Sequence, residues 1–206
     1  MRLIPLLTMM VVLLGLASCN SLSKEECAAA DWRVIGDTDG AAGYNPQERF
    51  AAHTKSCARI KLVPDQTKWY EGYQTGIVRY CTPLSGLTHG EAGDGYHNVC
   101  SPQTEPGFMR GYSLGKRAHE LRSRMDSLRS DVSFKEMEID RKYNDLKNTQ
   151  DDNQRRAIRD QIDQLDRDIR RARRDAGDVE FQLGAVQRDI DWFRQNPQAP
   201  LPLPGY

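Results

Sequence analysis

From Ile158 onward the chain carries an unbroken heptad stripe. Ile162, Leu165, Ile169, Ala172, Ala176, Val179, Leu183, Val186, Ile190 and Phe193 follow at alternating steps of four and three. That spacing gathers the apolar side chains on one side of an α-helix, and a stripe sustained from 158 to 193 is covered only by another helix lying along it. An earlier stripe runs through Leu114, Ala118, Leu121, Met125, Leu128 and Val132. It continues in Ile139 and Leu146, while Lys135 and Lys142 weaken its second seam.

The two stripes are out of phase. Extending Ala118, Met125 and Val132 by sevens reaches Asn153 and Asp160, whereas the matching later seam holds Ile162 and Ile169. The slip of two residues is about 200° around a helix. Coiled coils absorb insertions of three or four residues, so one continuous rod does not carry both stripes. Between them lies Asn148-Thr149-Gln150-Asp151-Asp152-Asn153, polar and rich in capping residues. Two helices of about 40 residues each, joined there and folded back antiparallel over residues 107–195, satisfy both facts, with a length on the order of 60 Å. The alternative is a long helix with a local break, paired between subunits. Gly177 and Gly184 inside the second helix suggest a local bend or a close contact.

The outer face of the second helix carries Arg155, Arg156, Arg159, Arg167, Arg170, Arg171, Arg173 and Arg174. Asp160, Asp163, Asp166, Asp168, Asp175 and Asp178 are interleaved with them. Mixed signs describe a solvated coiled-coil face. The whole chain has 29 basic and 29 acidic residues, so no global field holds nucleic acid, and none is expected as a partner.

The N-terminus has a different character. After Arg2, Leu3–Leu16 is a 14-residue apolar run, the length of a signal-peptide core and short of the roughly 20 residues of a membrane span. Leu16-Ala17-Ser18-Cys19 resembles the bacterial lipobox, which implies cleavage after residue 18 and acylation of Cys19. The acyl chains would anchor the mature chain to a membrane. Asn20 in place of Asp leans the destination towards the outer membrane, facing the periplasm.

Setting Cys19 aside leaves Cys27, Cys57, Cys81 and Cys100, an even number in an exported chain. That reads as two disulfides with three possible connectivities, of which Cys27–Cys57 with Cys81–Cys100 is the expected one. The rival is zinc, since His53-x-x-x-Cys57 and His97-x-x-Cys100 have ligand-like spacing. An oxidising compartment disfavours free thiolates, and neither a metal nor a cofactor is expected.

Residues 27–106 read as a disulfide-stapled helical head after an acylated tether, 19–26. A helix over Lys24–Ile35 is expected to end in the stretch Gly36–Gly40. Asn45-Pro46 predicts a capped helix to about Arg59, and Asp65 caps another through Tyr80 to Cys81. Thr82–Asn98, with four glycines and a proline, reads as loop, with a tight turn at Asp94-Gly95. Residues 196–206 form a Pro-rich tail expected to be disordered.

One echo crosses the head boundary. Trp69-x-x-Gly72-Tyr73-x-x-Gly76 and Phe108-x-x-Gly111-Tyr112-x-x-Gly115 share a pattern 39 residues apart, and Gly36 and Gly40 repeat the glycine spacing. Each glycine inside a helix costs about 0.8–1 kcal/mol relative to alanine. Glycines one turn apart therefore point to close helix approach, or to a groove in which backbone meets ligand, with Tyr73 and Tyr112 beside it.

No nucleophile elbow, phosphate loop or H-E-x-x-H motif is present. A thiol-dependent hydrolase would need an unpaired cysteine, so no enzyme is expected and no catalytic residue is assigned.

Cys27…Asp31-Trp32…Gly36…Asp39-Gly40…Phe50-x-x-His53-x-x-x-Cys57, then Tyr73-x-x-Gly76-x-x-x-Tyr80-Cys81, Tyr96-x-x-Val99-Cys100 and Phe108-x-x-Gly111-Tyr112 resemble an uncharacterised family of proteobacterial envelope lipoproteins. The resemblance covers under half the chain. It implies the envelope placement and the cysteine framework, and no activity. The expectation is a mostly α protein: a small stapled helical head, then a long antiparallel coiled-coil hairpin. Its partner is another envelope protein or a second copy through the coiled coil. The alternative is a head that binds a murein fragment through the glycine strips and Trp32, Trp69 and Tyr96.

Overall fold

The computed structural model describes residues 21–199, so the leader, Cys19 and residues 200–206 of the tail lie outside the described residues. Among the described residues there are seven α-helices, one short 3-10 turn and no strand. The chain divides into two compact units. The first holds residues 21–78 with His97–Val99, and the second holds Arg79–Tyr96 and the chain from Cys100 onward. This division falls inside the stretch 27–106.

In the first unit, the single helix expected over Lys24–Ile35 is two. Ser23 opens α1 (Lys24–Ala28) with a capping box closed by Glu26. Asp31 then takes the N–H groups of Arg33 and Val34 and starts α2 (Trp32–Ala41) afresh. The stretch Gly36–Gly40 does not end this helix but lies within it. The left-handed residue comes later, at Gly43, with φ 70°. Asn45 caps α3 (Pro46–Cys57), which tightens into a 3-10 turn over Ala58–Ile60 and stops at Lys61, φ 58°. α4 (Gln66–Tyr80) follows Asp65, whose carboxylate accepts the Lys68 N–H at 3.0 Å. Trp32, Trp69, Tyr73 and the Cys27–Cys57 disulfide form the buried cluster of this unit.

In the second unit, residues expected to be loop form a helix. Thr82 accepts the Ser85 N–H and opens α5 (Pro83–Ala92), and Gly93 closes it in the left-handed conformation. The turn anticipated at Asp94-Gly95 is absent. The missed signal is Thr-Pro at a helix start with glycine at its end, obscured by glycines that are inside the helix for another reason. Cys81 is bonded to Cys100.

α6 (Glu105–Asn148) and α7 (Asp152–Gln195) are the two long helices, and they fold back on each other within one chain. Asp151 caps α7, and the Arg155 guanidinium donates to the carbonyls of Leu146 and Thr149 at 2.7 and 2.8 Å, fastening the turn. Antiparallel packing brings Leu114, Ala118, Leu121 and Met125 against Val179, Val186, Ile190 and Phe193, with Leu87 of α5 added. Towards the turn, Ile162 and Ile169 are buried, whereas Val132, Ile139 and Leu146 are half-buried, as two helices without a third layer leave them. Glu136 and Arg173 pair across the seam at 2.6 Å.

Gly177 makes no close contact: a Cβ there meets no atom within 4 Å, and at Gly184 only the Arg188 guanidinium at 3.8 Å. Gly177→Ala is therefore expected to stabilise α7 by about 0.8–1 kcal/mol, the helix-interior difference between the two residues. Urea denaturation followed by circular dichroism measures it, and a loss of stability would show that the glycine is needed for backbone conformation.

Candidate functional site

The glycine strips close on each other. α2 and α4 cross with Gly36 and Gly40 facing Gly72 and Gly76. A Cβ at Gly36 would overlap the Trp69 carbonyl and stand 2.9 Å from Tyr73 N, and one at Gly72 would overlap the Arg33 carbonyl and stand 2.8 Å from Asp37 N. Gly40 and Gly76 meet backbone in the same way, at Ile77 N and Ala41 N. Backbone therefore lies on backbone, with no room for a ligand. The expected alternative of a ligand groove along Gly36, Gly40, Gly72, Gly76, Gly111 and Gly115 is corrected to helix packing.

The second unit contains the same arrangement. Gly86 and Gly90 of α5 face Gly111 and Gly115 of α6, with Phe108 and Tyr112 carbonyls against the first pair and Pro83 and Leu87 carbonyls against the second. The backbone atoms met at 33, 37 and 41 in the first crossing recur at 83, 87 and 91 in the second. Tyr73 donates its hydroxyl to the Tyr44 carbonyl at 2.7 Å, and Tyr112 donates to the Asp94 carbonyl at 2.6 Å, again fifty positions on. Trp69 stacks on Tyr73 and Phe108 on Tyr112, one turn apart in each helix. The chain thus builds one glycine-packed helix pair twice. Half of this echo is plain in the aromatic-x-x-Gly-Tyr-x-x-Gly pattern of α4 and α6. The other half, Gly36-x-x-x-Gly40-x-x-Gly43 repeated as Gly86-x-x-x-Gly90-x-x-Gly93, is readable once α5 is recognised as a helix.

Beneath the first crossing sits a polar cluster that spacing did not reveal. Asp39 is buried on α2, between the two glycines' turns. Its carboxylate accepts from Arg49 Nε at 2.7 Å and Trp69 Nε1 at 3.0 Å, and lies 2.7 Å from His53 Nε2. His53, fully buried, carries the chain onward: its Nδ1 is 2.9 Å from Ser21 Oγ, which is 3.1 Å from Ser56 Oγ. A neutral ring that donates to Asp39 at Nε2 accepts the Ser21 hydroxyl proton at Nδ1. Burial pushes the Asp39 carboxyl upward, but hydrogen bonds from His53, Arg49 and Trp69, with the Arg49 charge, outweigh it and hold the group below its ordinary range. In order, serine, histidine and aspartate resemble a hydrolytic relay. The network is a lock that fastens Ser21, ahead of α1, to Asp39 of α2, His53 and Ser56 of α3 and Trp69 of α4.

The four cysteines are bonded as Cys27–Cys57 and Cys81–Cys100. That removes the zinc alternative on His53 and Cys57 or His97 and Cys100, and leaves no free thiol among the described residues. No three His, Cys, Asp or Glu side chains there group as metal ligands. Trp32 and Trp69, named as ligand contacts in the murein alternative, are buried, since their rings build the first core; Tyr96 is half-buried against Phe108 and Tyr112. In the second unit, burial pushes the Tyr80 hydroxyl up to about 12, with Tyr96, Tyr112 and Asp94 adding to it, so it stays a neutral phenol.

A pocket of about 280 Å³ between α3 and α4 is lined by Gln47, Phe50, Gln66, Trp69 and Tyr70, with the Tyr70 ring exposed at its rim. Among the described residues, no helix is long and apolar enough to cross a membrane.

A family model described as a protein of unknown function, DUF2799, matches residues 31–117. The match begins at the cap of α2 and ends two residues past Gly115, so it takes in both glycine crossings and the first turns of α6 and leaves the rest of the arm outside. No curated protein and no solved structure matches the chain.

Proposed function

We propose that the chain is a lipid-anchored envelope protein, fastened to the membrane through Cys19, that acts by contact and not by catalysis. The leader motif supports the anchor, and Asn20 supports the outer membrane facing the periplasm. The two disulfides suit an exported chain. The observation that carries the reading is the arm. α6 and α7, of 44 residues each, cover one another's stripes inside one chain and add about 66 Å of surface. Their outward faces present Phe134, Met137 and Phe181, all more than half exposed. The occupant is another envelope protein or a second copy. The pocket beside Tyr70 favours a second reading, in which an exposed ring with flanking Gln47 and Gln66 amides stacks on and hydrogen-bonds a murein sugar.

Photo-crosslinking residues placed at 134, 137, 181 and 70 of the full-length protein in living cells separate these readings. The arm positions are expected to give one discrete protein adduct or a cross-linked dimer. A murein adduct from position 70, with none from the arm, transfers the role to the pocket. Silence at all four positions overturns both.

A further inference from the structure

The chain is tied down from the first described residue. Ser21 donates its backbone N–H to Ser56 Oγ at 3.0 Å and places its hydroxyl on His53 and Ser56. The Leu22 carbonyl accepts from Arg59 Nη2 at 2.7 Å, and the Leu22 side chain packs on the buried cluster. Only Asn20 stands between Ser21 and Cys19. Two residues reach at most about 7 Å, whatever path they take. That is less than the roughly 10 Å diameter of a helix. An acylated Cys19 therefore cannot hold the first unit at a distance from the bilayer.

The surface around this tie has the chemistry of a headgroup contact. From His53 to Pro64 every fully charged side chain is basic, namely Lys55, Arg59 and Lys61, and all three are exposed. Lys24 follows the tie on α1. Of the two acidic residues there, Glu25 and Glu26, the second is engaged with the Ser23 N–H at 2.7 Å. Leu62 packs on the same cluster as Leu22, and its neighbour Val63 projects outward with 86% of its surface exposed. Basic side chains around a projecting apolar tip match anionic phosphates above an acyl boundary.

We infer that the face of the first unit comprising residues 21–24, Arg59, Lys61 and Val63 lies on the bilayer that carries the Cys19 acyl chains, with its basic groups at anionic lipid headgroups. The inference rests on the acylation reading above. The Ser21–His53–Asp39 lock is then the joint that passes the position of the anchor to the folded unit.

The test uses the full-length lipoprotein in vesicles of phosphatidylethanolamine and phosphatidylglycerol that also carry nitroxide-labelled lipid. Mass spectrometry of Cys19 comes first; an unmodified cysteine overturns the lipoprotein reading and this inference with it. On acylated protein, a fluorophore at Val63→Cys is expected to be quenched, while one at Val78→Cys is not. Val78 is also exposed, at 69%, near the far end of α4, about 18 Å along the helix from its start. Lys24→Glu with Lys61→Glu, or phosphatidylcholine in place of the anionic mixture, is expected to abolish the difference while acylation persists. Acylated protein with equal signals at both positions would overturn the inference and leave the anchor standing.

Discussion

Alanine at Gly72 is expected to unfold the first unit, although glycine-to-alanine inside an isolated helix stabilises it by about 0.8–1 kcal/mol. The sign reverses because the added methyl group would overlap the Arg33 carbonyl and stand 2.8 Å from Asp37 N, both backbone atoms that no rotamer change can move. α2 and α4 would have to part by more than about 1 Å. Separation on that scale forfeits a quarter to a half of each dispersion contact it opens. It would also pull Trp69 Nε1 from Asp39, since the two sit on the separating helices. The expected cost exceeds about 4 kcal/mol, a large share of the 5–15 kcal/mol that holds a domain. Gly36→Ala should match it. Gly111→Ala should strike the second unit instead, because its Cβ meets Pro83 and Leu87 backbone. Chemical denaturation of the oxidised proteins, read by the fluorescence of the buried tryptophans, gives the values. If Gly72→Ala were as stable as the parent, α2 and α4 would not be in backbone contact.

The second large effect is expected at Asp39. Asp39→Ala leaves the Arg49 Nε, His53 Nε2 and Trp69 Nε1 donors without their common acceptor in a site closed to water. Removing one partner of a buried charged network costs about 3–5 kcal/mol. The pH dependence follows from the lowered Asp39 carboxyl. A group whose folded-state value is depressed binds its proton less readily folded than unfolded. Its stabilisation is complete above the unfolded value and disappears as pH falls through the folded one. The parent protein should therefore lose stability on acidification below the ordinary carboxylate range, and Asp39→Asn should show a shallower acid limb from a lower starting point. Identical limbs for the two proteins would show that Asp39 is not the titrating group. Because Ser21 is fastened to the same His53, Asp39→Ala should also loosen the start of the described chain, seen as faster amide exchange at Leu22.

The arm was legible residue by residue. A stripe of Ile, Leu, Val and Ala at steps of three and four leaves a helix no other way to cover itself, and the two-residue slip with the polar stretch Asn148–Asn153 marked the turn. The caps Asn45 and Asp65 were similarly plain, since each is a short polar side chain before a helical pattern. Reading failed at α2 and α5. Local propensity makes glycine end a helix, so Gly36, Gly40, Gly86 and Gly90 looked like terminators. In the fold they are the positions where two backbones touch, a tertiary requirement that outweighs the local cost.

Whatever depends on neighbours along the chain was thus set by the order of residues: helical periodicity, capping, an even set of cysteines and the hairpin's phase. Whatever depends on a distant segment was decided only on folding. Asp39, His53, Trp69 and Ser21 lie far apart in sequence and meet because the glycine crossing brings α2 onto α4. The same approach that lets two backbones touch leaves no room for a Cβ between them, which is why glycine stands at these positions.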